Sequence, residues 1–181
     1  MPAIVSMLRG VNVGGHNIIW MEALRALYTS LKLRDPQTYV QSGNVVFQAD
    51  ARDLVKLADR IEVAIERSTG FHPTVVLRTV AEMRDVVARN PFANRSDVAP
   101  NKLAVVFLAR DPGQAARDRL FQIETGPEEL RIGIRELYVY YPEGMGRSKF
   151  TAAVMERALQ VPGTARNWNS VTKLLDMAEK L

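Results

Sequence analysis

The chain has 181 residues, 47% hydrophobic and 24% charged, enough apolar content to bury a core in one domain or in two small ones. It has no cysteine and only two histidines, His16 and His72, which excludes disulfides, thiolate nucleophiles, sulfur-ligated zinc and a histidine-rich metal centre. The net charge of +4 rests on 18 Arg and 6 Lys that are interleaved with Asp and Glu and form no run, a pattern that does not by itself point to nucleic acid.

Residues 2–8 read as a short apolar strand. The loop LRGVNVGGHN follows at residues 8–17, and Met21, Leu24, Leu27 and Leu31 then recur at helical spacing within residues 18–31, with Asn17 at the expected N-cap. TYVQSGNVVFQ (residues 38–48) reads as two strands joined at Ser-Gly-Asn, because Gly and Asn tolerate positive φ. Leu54, Leu57, Ala58, Ile61 and Ile65 mark a second helix ended by Gly70, HPTVVLRT a strand, and VAEMRDVVARN a helix stopped before Pro91. Residues 90–101 are rich in Pro, Asn and Ser and break the periodicity, as a linker does. Beyond them come the strand KLAVVFLA, the helix PGQAARDRLFQI, the strand pair ELRIGIRELYVYY, the helix SKFTAAVMERALQ opened by Ser148, the strand GTARNW, and the helix SVTKLLDMAEKL capped by Asn169.

Strand, helix, strand, strand, helix, strand and a further helix thus occur twice. The expectation is an α+β fold of two tandem ferredoxin-like (βαββαβ plus helix) units, with antiparallel sheets and helices on one face: residues 1–90, a linker at 91–101, and residues 102–181. The apolar run at residues 103–109 is far shorter than the ~20 residues of a membrane helix, and the N-terminus lacks a signal-peptide layout. A cytoplasmic protein without a membrane partner is expected.

Four segments concentrate polar residue types. RGVNVGG matches neither the dinucleotide fingerprint nor the Walker pattern. Arg9, Asn12, Gly14 and Gly15 there read either as an anion pocket near a helix N-terminus or as a tight strand-to-helix connection. Gln41, Ser42 and Asn44 read as ligand contacts or as turn residues, and Ser42 has no local base to make it a nucleophile. Arg147 and Lys149 flank Ser148 at an expected helix start, where they suit a phosphate or carboxylate or are simply solvated. Arg166, Asn167, Trp168 and Asn169, with Lys173 beyond them, would stack and neutralise a ligand, or else anchor and cap the last helix. Carboxylates are scattered, as in PEEL, without metal-binding spacing, so neither a metal nor a cofactor is expected.

LRGVNVGGHNIIWMEALR, TYVQSGNVVF, NPF at residues 90–92 and GTARNWNSVTKL, in this order, resemble the bacterial proteins grouped as domain of unknown function 1697. The resemblance implies a cytoplasmic protein of two ferredoxin-like halves and carries no chemistry with it. The matching positions are Arg9, Gly10, Asn12, Gly14, Gly15, Gln41, Ser42, Gly43, Asn44, Arg166, Asn167, Trp168, Asn169 and Lys173. Where relatives carry lysines near the first helix, this chain has His16, Ile18 and Trp20, which weakens an anion role for that helix end.

The functional expectation is a binding module that holds a small anionic or nucleotide-like ligand in a groove between the two units. The alternatives are a metal-independent phosphoryl- or acyl-transfer enzyme and a protein-interaction domain, monomeric or homodimeric, with Trp20 in the contact. Nucleic acid is a partner class that the charge pattern leaves unsupported.

Overall fold

The computed structural model describes residues 1–181. Its contacts divide the chain into unit 1, made of Met1–Asp85 with Lys173–Leu181, and unit 2, Val86–Thr172. Each contains one four-stranded antiparallel sheet, and six α-helices complete a mixed α+β architecture. No helix is long and apolar enough to cross a membrane.

In unit 1, β1 (Ala3–Leu8), β2 (Arg34–Tyr39), β3 (Asn44–Gln48) and β4 (Val75–Thr79) lie in the order β2-β3-β1-β4. Helices α1 (Met21–Ser30) and α2 (Leu54–Thr69) bury Leu24, Tyr28, Leu57, Ile61 and Ile65 against Ile4, Leu8, Val45, Phe47, Val75 and Leu77. The period of two in a strand puts Val5, Met7, Val46 and Val76 on the other face, and they are buried as well. Ser6, on the helix-covered face, is satisfied by a 2.7 Å hydrogen bond with Tyr28 Oη, and burial holds that phenol far above its ordinary range. The edge strand β2 starts at Arg34, earlier than the sequence pattern suggests, through an irregularity between Arg34 and Gln37 where Asp35 has φ +48° and Pro36 is tolerated. Arg84 in α3 (Val80–Ala88) pairs with Glu179 at 2.6 Å, and Gln48 Nε2 donates to Leu181 O at 2.5 Å, which ties the last helix, α6 (Trp168–Glu179), into unit 1.

Unit 2 repeats the arrangement with β5 (Leu103–Leu108), β6 (Glu129–Ile132), β7 (Glu136–Tyr140) and β8 (Gly163–Asn167) in the order β6-β7-β5-β8. Helices α4 (Gln114–Phe121) and α5 (Ala152–Leu159) pack Ala116, Leu120, Met155 and Leu159 on Ala104, Val106, Leu108, Leu137 and Val139. The segment before β5 is held to the unit by Arg95. Its guanidinium pairs with Asp97 and Glu129 and lies over the rings of Phe92 and Tyr140, at 5.7 and 5.5 Å from their centroids.

Three expected caps are corrected. Asn17 sits before α1 with φ +52°, and its Nδ2 donates to Gly10 O, so Trp20 occupies the cap position without a side-chain bond. Ser148 follows a 3₁₀ turn at Met145–Arg147, and α5 is capped instead by Thr151, which accepts from Val154 N. For α6 the capping acceptor is Asn167, bonded to Ser170 N at 2.9 Å, and Trp168 is the first helical residue rather than the end of the strand. In each case a polar residue of cap type is present, but the cap position falls two or three residues away from it.

Candidate functional site

The loop between β1 and α1 is a folded object in its own right. Asn12 Nδ2 donates to Ile19 O at 3.0 Å and to Gln41 O at 2.7 Å, while its Oδ1 accepts from Ile19 N at 2.9 Å. One side chain therefore closes the loop on itself and binds it to the β2-β3 turn. Gly14 and Gly15, at φ +57° and +77°, form a tight turn closed by His16 N donating to Val13 O at 3.0 Å. Positive φ at both central positions is the reason for glycine there. Gly43, at φ +75°, lies so close to the strand end that a Cβ would stand 2.5 Å from Val11 Cγ2 and 2.8 Å from Leu8 Cβ. Asn44 is fully buried and donates to Tyr39 O and to Ser42 Oγ. Exposed at this end of the unit are Val13, Ile18, Val40 and Trp20, the last at 74%.

In unit 2 the expected residues separate into two groups. Arg166 is 7% exposed and donates from one Nη to Thr164 Oγ1 at 2.7 Å and to Ala165 O at 2.8 Å, and burial pushes its guanidinium down to about 10. Asn167 caps α6, Trp168 is half-buried, and Asn169 is exposed. Lys173, further along that helix and counted with unit 1, pairs with Asp176 at 3.4 Å.

Arg147 and Lys149 line a cleft of about 410 Å³ together with Glu124, Thr125, Glu128 and Glu143. The five charged side chains of this cleft make no ion pair and no hydrogen bond with the protein. Glu128 is only 8% exposed. Burial, with the Glu128 charge adding to it, raises the neighbouring Tyr141 phenol to about 12.

Two residues escaped the sequence reading. Arg78, 1% exposed on β4, donates an Nη to Leu77 O at 2.9 Å, as Arg166 does to Ala165 O. Arg78 lies opposite Val5 and Arg166 opposite Val105, so they hold the same place in the two sheets, and aligning the two halves by strand position would have found the first from the second. Glu128 stands in PEEL, where nothing distinguishes it from the glutamate that follows. No group of three or more His, Asp or Glu side chains is placed to hold a metal ion.

A family profile described as protein of unknown function (DUF1697) matches residues 1–138. Among solved structures, the conserved bacterial protein SP0830 from Streptococcus pneumoniae is similar to this chain at 21% identity over 99% of each chain, with a TM-score of 0.71, a likeness of fold. No curated protein matches the chain.

Proposed function

The chain belongs to the DUF1697 family of proteins of unknown function, as its motif segments led one to expect, and from the chemistry of its cleft we propose that it binds a small ligand whose anionic group is held by Arg147 and Lys149. The observation that carries this reading is a concave volume of about 410 Å³ lined by two cations whose side chains have no partner in the protein. That volume suits a small molecule. Guanidinium offers a planar fork to a carboxylate or phosphate, and ammonium adds a point charge that adapts to either.

The same reading takes each half as a ferredoxin-like split βαβ, residues 1–90 and 102–181 joined by 91–101. The matched strand orders support it, and so does a residue-level correspondence at the strand ends. Leu8 N and Leu108 N donate to Gly43 O and Arg135 O, just ahead of β3 and β7, and Arg9 N and Ala109 N donate to Thr74 O and Pro162 O, just ahead of β4 and β8.

Thermal-shift screening of the full chain against small metabolites that carry a carboxylate or a phosphate, with and without an amino group, tests the binding reading. At least one stabilising compound is expected, and its effect should vanish in the double variant Arg147→Ala, Lys149→Ala. A screen without hits, or a hit that the double variant still binds, rejects it. A second reading, a contact between two copies of the chain, is favoured by the exposure of Trp20 beside Val13 and Ile18. Light scattering at high concentration separates the cases: a dimer that Trp20→Ser dissociates supports the contact, and a strict monomer removes it.

A further inference from the structure

Among the charged groups of the unit 2 cleft, carboxylates outnumber cations. Glu124, Glu128 and Glu143 stand with Arg147 and Lys149, and a ligand that carried only negative charge would meet three like charges on entering. Glu128 is the informative one. It is more than nine-tenths buried, it lines the cleft, and its carboxylate has neither a hydrogen bond nor an ion pair within the protein. The nearby Thr125 hydroxyl does not serve it, because Oγ1 donates to the Glu128 backbone carbonyl at 3.1 Å. Gly126 leaves room for the carboxylate, since a Cβ there would stand 3.2 Å from Glu128 Oε2. The oxygens of this otherwise buried side chain are open to the cleft, and a carboxylate held among protein atoms is ordinarily answered by an opposite charge or by several donors. Here the open space of the cleft is where such a donor would sit.

We propose that Glu128 recognises a primary ammonium, and that the cleft binds a small amino carboxylate, a free amino acid in its zwitterionic form, with its carboxylate toward Arg147 and Lys149. This rests on the anion-binding reading of the same cleft and adds the second pole of the ligand. A pure anion leaves Glu128 unanswered and is opposed by Glu124 and Glu143. A pure cation is opposed by Arg147 and Lys149. Only a molecule with both charges complements the lining, and a mismatched charge at either pole works against binding.

Calorimetric titration of the full chain with the standard free amino acids provides the test, followed by the N-acetyl and carboxamide derivatives of any that bind. Saturable binding of at least one amino acid is expected. Removing the ammonium by acetylation, or the anion by amidation, should each weaken it about tenfold or more, the usual loss of a charge-assisted hydrogen bond. Glu128→Gln keeps the shape of the side chain and removes its charge. In that variant the free amino acid should fall to the affinity of its N-acetyl derivative, which itself stays unchanged. Because the carboxylate makes no hydrogen bond or ion pair within the protein, the variant should melt within about 2 °C of the wild type. The proposal is overturned if no amino acid binds, if acetylation makes no difference, if Glu128→Gln binds as the wild type does, or if that variant melts lower by more than this margin, which would make the carboxylate structural. Retained binding of N-acetyl amino acids through Arg147 and Lys149, with no preference for the free ammonium, sinks the ammonium site and leaves the anion site standing. Loss of binding by every probe sinks both.

Discussion

The loop cluster at one end of unit 1 and the cleft of unit 2 are similarly rich in polar residues, but they dispose of them in opposite ways. In unit 1, Asn12 and Asn44 turn their hydrogen-bonding groups inward, onto Ile19, Gln41, Tyr39 and Ser42, and Val13, Ile18, Trp20 and Val40 are exposed beside His16, Asn17 and Gln41. In unit 2, five charged side chains gather around a cavity and bond to nothing. Residue type does not separate a staple from a site. What separates them is whether each donor and acceptor is already satisfied within the protein.

Disruption of the unit 1 staple should carry the largest cost. Gly43→Ala combines a positive φ with a Cβ 2.5 Å from Val11 Cγ2, and the strain and overpacking should cost about 3 kcal/mol or more in chemical denaturation. A loss under about 1 kcal/mol would mean that the loop and the β2-β3 turn are not packed as described. Asn12→Ala deletes three hydrogen bonds and places alanine at φ +54°, for an expected loss of about 2 kcal/mol. Hydrogen exchange should then accelerate at Ile19 and His16, whose amides lie in the loop, more than in β1. Uniform protection would contradict the stapling role.

How far these differences could be read from the sequence follows the range of the interaction. Helices α2 and α5 announce themselves through apolar residues at helical spacing, because burial on one face is a local pattern. The Gly14-Gly15 turn is legible for the same reason, since positive φ is a property of the residue itself. Asn17, Ser148 and Asn169 have the residue type of a cap without the position of one, because many residues of that type are available and tertiary packing decides where the chain enters the helix. Arg166 was noticed for its neighbours in sequence, whereas its burial, like that of Arg78, depends on strand pairing and becomes visible only when Val5 and Val105 are set in register. Glu128 was not legible at all. Its meaning lies in the absence of a partner, which no single sequence records.

A third polar arrangement in unit 1 sharpens the contrast through pH. His72 stands between Glu66, 3.0 Å from Nδ1, and Glu62, 3.2 Å from Nε2, and Glu62 also accepts from Val75 N at 2.7 Å. The hydrogen bond to Glu66 is the main cause that raises the His72 pKa, and the charges of both glutamates add to it. A folded value above the unfolded one of about 6.5 means that the imidazolium contributes its full stability below about pH 6.5 and loses it as pH rises through the folded pKa. The side chain is 49% exposed, so solvent screening limits the effect to below about 1 kcal/mol. Unfolding midpoints measured across neutral to mildly alkaline pH should decline more in the wild type than in His72→Gln, and parallel curves would remove His72 from the account.

The smallest expected change is the one that bears most on function. If Arg147 and Lys149 are held for a ligand and not for the fold, replacing both with alanine removes no hydrogen bond and no ion pair, and the stability of the free protein should stay within about 0.5 kcal/mol of the wild type. Their loss also leaves Glu124, Glu128 and Glu143 without a nearby opposite charge, so any change should be toward slightly lower stability, larger at low salt where attraction across the cleft is less screened. Ligand-dependent stabilisation, by contrast, should disappear, because it scales with affinity for the folded state alone. A free protein as stable as the wild type that no longer responds to ligand is the result that distinguishes a site from a scaffold. A large loss of stability in the absence of any ligand would place these two cations with Asn12 and Asn44 among the groups that hold the chain together.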